Sequence, residues 1–461
     1  MNKDTDRIFY VNAETGSDGN EGISPEAAWK TLARVNAEPL KPGDRVRLRR
    51  GCRWDEVLRP QGDGCFGAPV ILEGYGEGES PWIAGDGGYA ALFLDGVSFY
   101  TVDGLKVTNH GAERGIRSGI CVRGKARGVT EGISVLNCEI TDVNGENRRA
   151  MGVYKSMYWN SGIYVTFPGR TSEKDHLHDI LIQGNYVHDV HTSGIRVNQQ
   201  EDFINDIHHT HVVVRGNRIE RTGSDGIIVA NCISPLIDGN RCFDAGALGN
   251  TKDTQLIAGV WVCATENALI QRNEVARTSL FEADGSAFDT DWGTAGDTVF
   301  QYNYTHGNKG GFWLDCIGLN HNEECGRTIL RYNISIGDEK AVTREDKGLP
   351  AEIYGNYFGG LRQMPEVCTR DSGCSHSFFS NIFDYEKEPE NGFKASHYRG
   401  NWYGAMENMP EDPEGKPGVP FDTEAMKASE DGAVPEGLDW CWEYWERLAS
   451  LVTKEKRKNR S

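Results

Sequence analysis

The stretch DGSAFDTDWGTAGDTVFQYNYTHGNKGGFWLDC, residues 284–316, sets carboxylates into segments otherwise built from Phe, Trp and Leu. Asp289, Asp291 and Asp315 are the acids concerned. Aspartate is a poor strand former and is rarely buried without a partner. These acids are therefore either structural or presented to a ligand. Two carboxylates held close cannot both ionise freely, and a protonated acid beside an ionised one is what glycosidic cleavage uses. The neighbouring tryptophans offer flat faces on which the apolar side of a sugar can stack.

The elements that must carry these acids repeat along the chain. LIQGNYVHDV, VVRGNRIERT, LIQRNEVART, VFQYNYTHGN and EIYGNYFGGL share one pattern, two or three β-prone residues, then Asn, then a short strand. The pattern centres on Asn137, Asn185, Asn217, Asn240, Asn273, Asn303, Asn333, Asn356, Asn381 and Asn401, with gaps of 20 to 48 residues. Self-similarity of this period indicates a solenoid or a propeller. Short alternating strands without a helical period favour the solenoid, and the shortest gap suits one three-strand coil. The predicted fold is all-β, a right-handed parallel β-helix of about ten or more coils with short capping helices. Asn suits the repeated turn because it tolerates a left-handed backbone and can hydrogen-bond along a stack.

The expected domains are 1–404, the β-helix with its N-terminal cap, and 405–461, an extended segment with a C-terminal helix packed on the solenoid. SPEAAWKTLARVNA reads as one capping helix with Ser24 as N-cap and Pro25 at the first helical position. LDWCWEYWERLASLVTKEKRKNRS reads as the terminal helix, with Trp440, Trp442 and Trp445 against the solenoid flank.

Aligned on their apolar positions, SGIRVN, DGIIVAN, AGVWVCA, SAFDTDW and GGFWLDC form one sheet. Alternation points Ile195, Val197, Phe288, Thr290, Phe312 and Leu314 inward. It leaves two outward columns, Arg196, Ile228, Trp261, Asp289, Trp313 and Asn198, Ala230, Cys263, Asp291, Asp315. Asp291 and Asp315 then face each other across adjacent coils, about 4.8 Å apart at the backbone. The expected catalytic set is Asp291, Asp315 and Asp289, with Asp315 as general acid and Asp291 as nucleophile or base, or these two roles exchanged, and Asp289 holding water or a sugar hydroxyl. Trp261, Trp313, Arg196, Asn198, His306 and His188 are the expected substrate contacts.

Each assignment has a structural counterpart. Stacked aspartates also cap turns or hold a structural cation, so a structural calcium is possible although no cofactor is required. His188 and His306 follow Asn185 and Asn303 at one offset and could instead bond a neighbouring turn. Asp225 and Asp284 each precede Gly and read as turn residues. His208, His209 and His211 form a cluster whose spacing alone is weak evidence for metal, and no metal site is expected.

The formal net charge is −19, from 49 basic against 68 acidic residues. That argues against a nucleic-acid partner, which needs clustered Lys and Arg. No apolar run reaches the roughly 20 residues that span a bilayer, so no membrane is expected. The twelve cysteines form no CxxC pair and read as small buried hydrophobes of a reducing compartment. MNKDTDRIFYVN lacks an apolar h-region. Together these predict a cytoplasmic protein, the alternative being one whose signal peptide has been removed. Insertions at 145–178, 198–211 and 245–258 are expected to wall a pocket and favour cleavage at chain ends.

FYVNAETGSDGNEGISPEAAWKTLARVN, followed by LKPGDRVRLRRG and APVILEGYGEGESPWIAG, resembles the start of right-handed parallel β-helix proteins of bacterial carbohydrate metabolism. Paired acids on successive coils resemble β-helix glycoside hydrolases of the β-xylosidase and α-L-fucosidase type. In such enzymes two carboxylates from neighbouring coils act as acid/base and nucleophile, which the resemblance assigns to Asp291 and Asp315. The expectation is a glycosidase acting on oligosaccharides from their ends, with a carbohydrate partner and an oligomeric state the sequence leaves open. One alternative is a polysaccharide lyase for uronate-containing glycans, with Lys309 or Arg196 as base. Another is a non-catalytic glycan-binding solenoid, which needs the tryptophans but not the acids.

Overall fold

The computed structural model describes residues 7–146, 159–169, 172–200, 206–249, 257–281, 284–316, 326–344, 350–360, 366–368, 376–385, 393, 397–405, 409–423, 426 and 435–458. Much of the three predicted insertions, 147–158, 201–205 and 250–256, lies outside the described residues. The chain divides into two compact units, residues 1–231 with 248–254, and residues 232–247 with 255–461. Residues 405–461 thus fall within the second unit.

Each unit is a parallel β-helix, three strands to the coil and one sheet on each of three sides. In the first unit His176–Gln183 pairs in parallel with Val129–Leu136 and His209–Arg215 in the first sheet. Tyr186–Val190 pairs with Glu139–Val143 and Arg218–Thr222 in the second. Ile195–Gln199 pairs with Ile163–Phe167 and Ile227–Ala230 in the third. The second unit repeats the scheme. Asp297–Gln301 lies in its first sheet, Tyr304–His306 in its second and Ser286–Thr290 in its third. The interior is filled by the inward residues of all three sheets, for example Ile195, Val197, Val212 and Ile219, all buried. Each such aliphatic side chain contributes roughly 1.5–3 kcal/mol.

The asparagines form the expected ladder between the first and second sheets. Asn273 donates its backbone N–H to Oδ1 of Asn303 at 2.9 Å and its Nδ2 to the same oxygen at 3.1 Å. Its Nδ2 also reaches the carbonyl of Ile237 at 3.0 Å. The pattern continues through Asn333, Asn356, Asn381 and Asn401 and ends on the carboxylate of Asp412. Every buried amide in it has partners, which is what makes a polar column tolerable inside a fold. The left-handed residue is the one before the asparagine, Gly184 (φ 68), Arg272 (φ 54) or Tyr302 (φ 54). Asn137 breaks the alignment. It occupies that left-handed position itself, with φ 50, and Cys138 takes the ladder place by donating its N–H to Asn185 Oδ1 at 3.0 Å.

The N-terminal cap is not one helix. Ser24 caps a short 3-10 turn, Pro25–Ala27, and Thr31 caps a separate α-helix, Leu32–Ala37. Trp29 interrupts them because its backbone bonds to Tyr10 of the first strand and to Asn12 just after it, while its ring is fully buried. The C-terminal helix, Cys441–Lys458, is present and packs Cys441, Trp445 and Leu448 on Tyr304, Ile334, Ile336 and Tyr357. Trp440 joins this contact, but Trp442 does not and is 50% exposed. Cys52, Cys121, Cys138, Cys232, Cys242, Cys263, Cys316 and Cys441 are buried, whereas Cys65 is exposed. Among the described residues no helix is long and apolar enough to cross a membrane.

Candidate active site

The third sheet differs from the first. Strands of the first sheet alternate between buried and half-exposed residues, as in Arg45–Arg49 and Asp297–Gln301. Ile195–Gln199, Ala258–Cys263, Ser286–Thr290 and Gly311–Asp315 of the third sheet are buried at every position. Its outward columns, predicted to face solvent, are covered, and they carry charged and aromatic residues.

In the second unit Trp261 pairs in register with Asp289 and Val262 with Thr290, as predicted. The next coil does not follow the prediction. Phe288 pairs with Trp313, Asp289 with Leu314 and Thr290 with Asp315. This is a slip of one residue, and in a strand such a slip sends every side chain to the other face. The slip begins at Gly310-Gly311. Gly311 has φ 105, and a Cβ there would come within 2.7 Å of the carbonyl oxygen of Lys340. The predicted apposition of Asp291 with Asp315 is therefore corrected. Asp315 shares the inward side of Thr290 and is completely buried.

Around Asp315 the interior is polar. Trp313 donates its indole N–H to Thr290 Oγ1 at 2.9 Å and meets the ring of His376 edge-on at 5.6 Å. His376 Nε2 lies 3.7 Å from Asp315 Oδ2. Its Nδ1 accepts the backbone N–H of Ala351 at 3.1 Å, so the ring proton belongs on Nε2, facing the carboxylate. Trp313, fully buried in this cluster, is not a platform for a sugar, again because of the register slip.

On the outward side the slip sets Cys316 beside Asp291. One ligand atom each from Asp289, Asp291 and Cys316 lies within 4.8 Å of the others, and all three residues are buried. Cys263 flanks Asp291 on the other side. Its thiol is pushed well above its ordinary pKa by burial and then by the negative charges of Asp291 and Asp289. Asp284, Asp289 and Asp291 each keep 8% exposure, against none for Asp315. Chemically, two carboxylates this close can share a proton, or with the thiol could hold a soft divalent ion more readily than calcium. Cys316 was missed as a neighbour of these acids in the sequence. The double glycine before Phe312 was the signal for it.

In the first unit Arg196 is fully buried on the third sheet. Its Nε donates to Ser193 Oγ at 3.3 Å and its guanidinium lies 3.8 Å from Asp225. Asp225 is thus more than a turn residue. Asn198 donates Nδ2 to the carbonyl of Gln199 at 2.8 Å. Beside them Tyr164 is buried, and burial raises its hydroxyl pKa. His188 and His306 lie on second-sheet strands and not with the acids. His188 stacks on Tyr186 at 4.1 Å and bonds Asp189 at 2.7 Å. His306 stacks on Tyr304 at 4.8 Å and lies 3.3 Å from Glu274, which also accepts the N–H of Gly437. An offset counted from the ladder asparagine places a residue in the second sheet, where both histidines have neighbours of their own.

The family described as the right handed beta helix region matches residues 153–323. A lacto-N-biosidase of Bifidobacterium longum subsp. longum is 26% identical over 471 residues, covering 81% of this chain and 28% of that protein. The chain thus spans little more than a quarter of that curated relative. The crystal structure of a GH136 lacto-N-biosidase from Eubacterium ramulus superposes with a TM-score of 0.67 at 22% identity, covering 85% of this chain and 67% of that one. XylC in complex with xylose superposes with a TM-score of 0.50 at 11% identity, covering 90% and 87%. The fold is that of right-handed parallel β-helix carbohydrate-active enzymes.

Proposed function

We propose that the chain is a glycoside hydrolase acting on oligosaccharides, of the lacto-N-biosidase kind. The likeness to lacto-N-biosidase over 81% of the chain carries this reading. Asp289 and Asp291, close together on the covered face of the third sheet, supply the two carboxylates it needs. Their approach suits the short separation of retaining enzymes, about 5–5.5 Å between carboxyl groups. Asp289 lies in register between Trp261 and Leu314, apolar surroundings that favour the protonated form of a carboxyl. It is assigned the general acid, and Asp291, between Cys263 and Cys316, the nucleophile. Trp261 is the aromatic surface for the sugar.

The test is hydrolysis of a panel of nitrophenyl glycosides that includes the lacto-N-bioside. Asp289→Asn and Asp291→Asn should each lower turnover by at least about 10²-fold with unchanged melting temperature, and Asp284→Asn serves as the third acid of the same segment. Full activity in both variants would make these carboxylates structural. Unsaturated product from a uronate polymer would replace the hydrolase with a lyase.

A further inference from the structure

The sequence cluster His208, His209 and His211 splits in the structure. His208 and His209 are buried, whereas His211 is exposed on the outward face of the first sheet. There it meets histidines of the neighbouring strand. The rings of His178 and His211 have centres 4.5 Å apart with 36° between their planes. His176 stands nearly perpendicular to His178 at 6.5 Å.

The backbone explains the meeting. His178 pairs with Thr210 and Ile180 with Val212, so Asp179 and His211 occupy the same position on adjacent strands. Both have a left-handed backbone, φ 54, continuing a column that includes Phe99 and Gly132. Elsewhere in the column the occupants are a phenyl ring and a glycine. On these two strands they are an exposed carboxylate and an exposed imidazole, next to a second imidazole.

We propose that His178 and His211 form a surface site for a divalent transition metal such as Zn²⁺. Two zinc–nitrogen bonds of about 2.0–2.1 Å each bridge rings at this separation with side-chain rotation alone. His178 Nδ1 is 2.8 Å from Thr210 Oγ1. That contact orients the ring and leaves Nε2 for the metal, the arrangement in which a hydrogen bond at one ring nitrogen fixes the other as ligand. The ion would tie two neighbouring coils across the face of the sheet, and water would complete its coordination. This site is separate from Asp289, Asp291 and Cys316 and does not depend on the glycosidase reading.

The experiment is calorimetric titration of the chelator-stripped full chain with Zn²⁺, with melting temperature as a second readout. One equivalent should bind and raise the melting temperature, since a ligand bound only by the folded state stabilises it. His178→Ala and His211→Ala should each weaken binding by at least about 10-fold, and Thr210→Val by about 10-fold through loss of ring orientation. Cys316→Ser should leave binding unchanged. No binding by the parent chain overturns the proposal. So does binding that survives in the double histidine variant, and loss of it in Cys316→Ser would move the ion to the acid cluster.

Discussion

The first and third sheets are built from the same kind of strand, yet they treat charge in opposite ways. On the first sheet charges sit outward in half-exposed rows. Arg327 forks onto Asp297 at 3.0 and 2.8 Å and onto Glu352 at 2.9 Å, and Arg272 forks onto Asp238 at 2.7 and 2.6 Å. These rows bond along the stacking direction and leave nothing to be completed by a ligand. On the third sheet Arg123 still forks onto Asp95 at 2.7 and 2.9 Å at half-exposed strand ends, but Arg196, Asp289 and Asp315 are covered. Arg196 lies at 3.8 Å from Asp225, a looser pairing than any fork of the first sheet. Burying charge costs several kcal/mol per ion. A fold keeps such a face where the face has a task, and that physical contrast, not the acids alone, separates the third sheet from the first.

The sharpest way to break the comparison is to remove charge from each sheet in turn. The largest effect is the loss of turnover expected at Asp289 and Asp291. The next is on stability. Arg196→Met removes one member of a buried pair and leaves the carboxylate of Asp225 in a site built around a cation. The expected cost is about 3–5 kcal/mol, read from urea unfolding. A cost under about 1 kcal/mol would mean that the covered face tolerates charge as easily as the exposed one.

Much of this contrast could be read from the sequence, and the failures have local causes. The Asn ladder was legible because a buried amide that must bond its counterpart in the next coil tolerates few replacements. Even so, Asn137 resembled a member while Cys138 held the place, since the left-handed turn and the ladder lie one residue apart. Trp261 beside Asp289 was legible from alternation. Trp313 and Asp315 were not, because one glycine in Gly310-Gly311 moved the register and reversed both. The split of the N-terminal helix was encoded in two N-cap residues, Ser24 and Thr31, read as one start. That the outward columns are covered was not legible at all. Alternation tells which face a residue takes, and nothing about what lies over that face.

A smaller effect, of opposite sign, is expected between the second and third sheets. There Asn308 donates its N–H and its Nδ2 to Asp338 Oδ1, both at 2.8 Å, and Ser335 donates to Oδ2 at 2.7 Å. This is the geometry of the Asn ladder with a carboxylate in place of an amide. Burial raises the Asp338 pKa, and the hydrogen bonds only partly offset it. A carboxyl whose folded pKa is raised contributes its full stability below the unfolded pKa and loses it as pH rises through the folded one. Asp338→Asn should therefore stabilise the protein at neutral pH, by on the order of 1 kcal/mol. The gain should shrink as pH falls through the raised folded pKa towards the ordinary carboxylate range. A melting-temperature difference independent of pH would show that the charge of Asp338 carries no cost.

The smallest effect belongs to the first sheet and closes the comparison from the other side. Arg327 holds the Asp297 carboxyl below its ordinary pKa, chiefly through their hydrogen bonds. A depressed pKa contributes stability above the unfolded value and loses it as pH falls through the folded one. Both side chains are nearly half exposed, at 49% and 45%, so solvent screens most of that contribution. Arg327→Ala should cost about 0.2–1 kcal/mol at neutral pH, less at high salt and less again in acid, with turnover unchanged. The geometry of this fork is better than that of Arg196 with Asp225, yet its expected cost is several times smaller. If Arg327→Ala proved as damaging as Arg196→Met, pair geometry rather than burial would govern charge in this fold, and the covered face of the third sheet would lose its distinction.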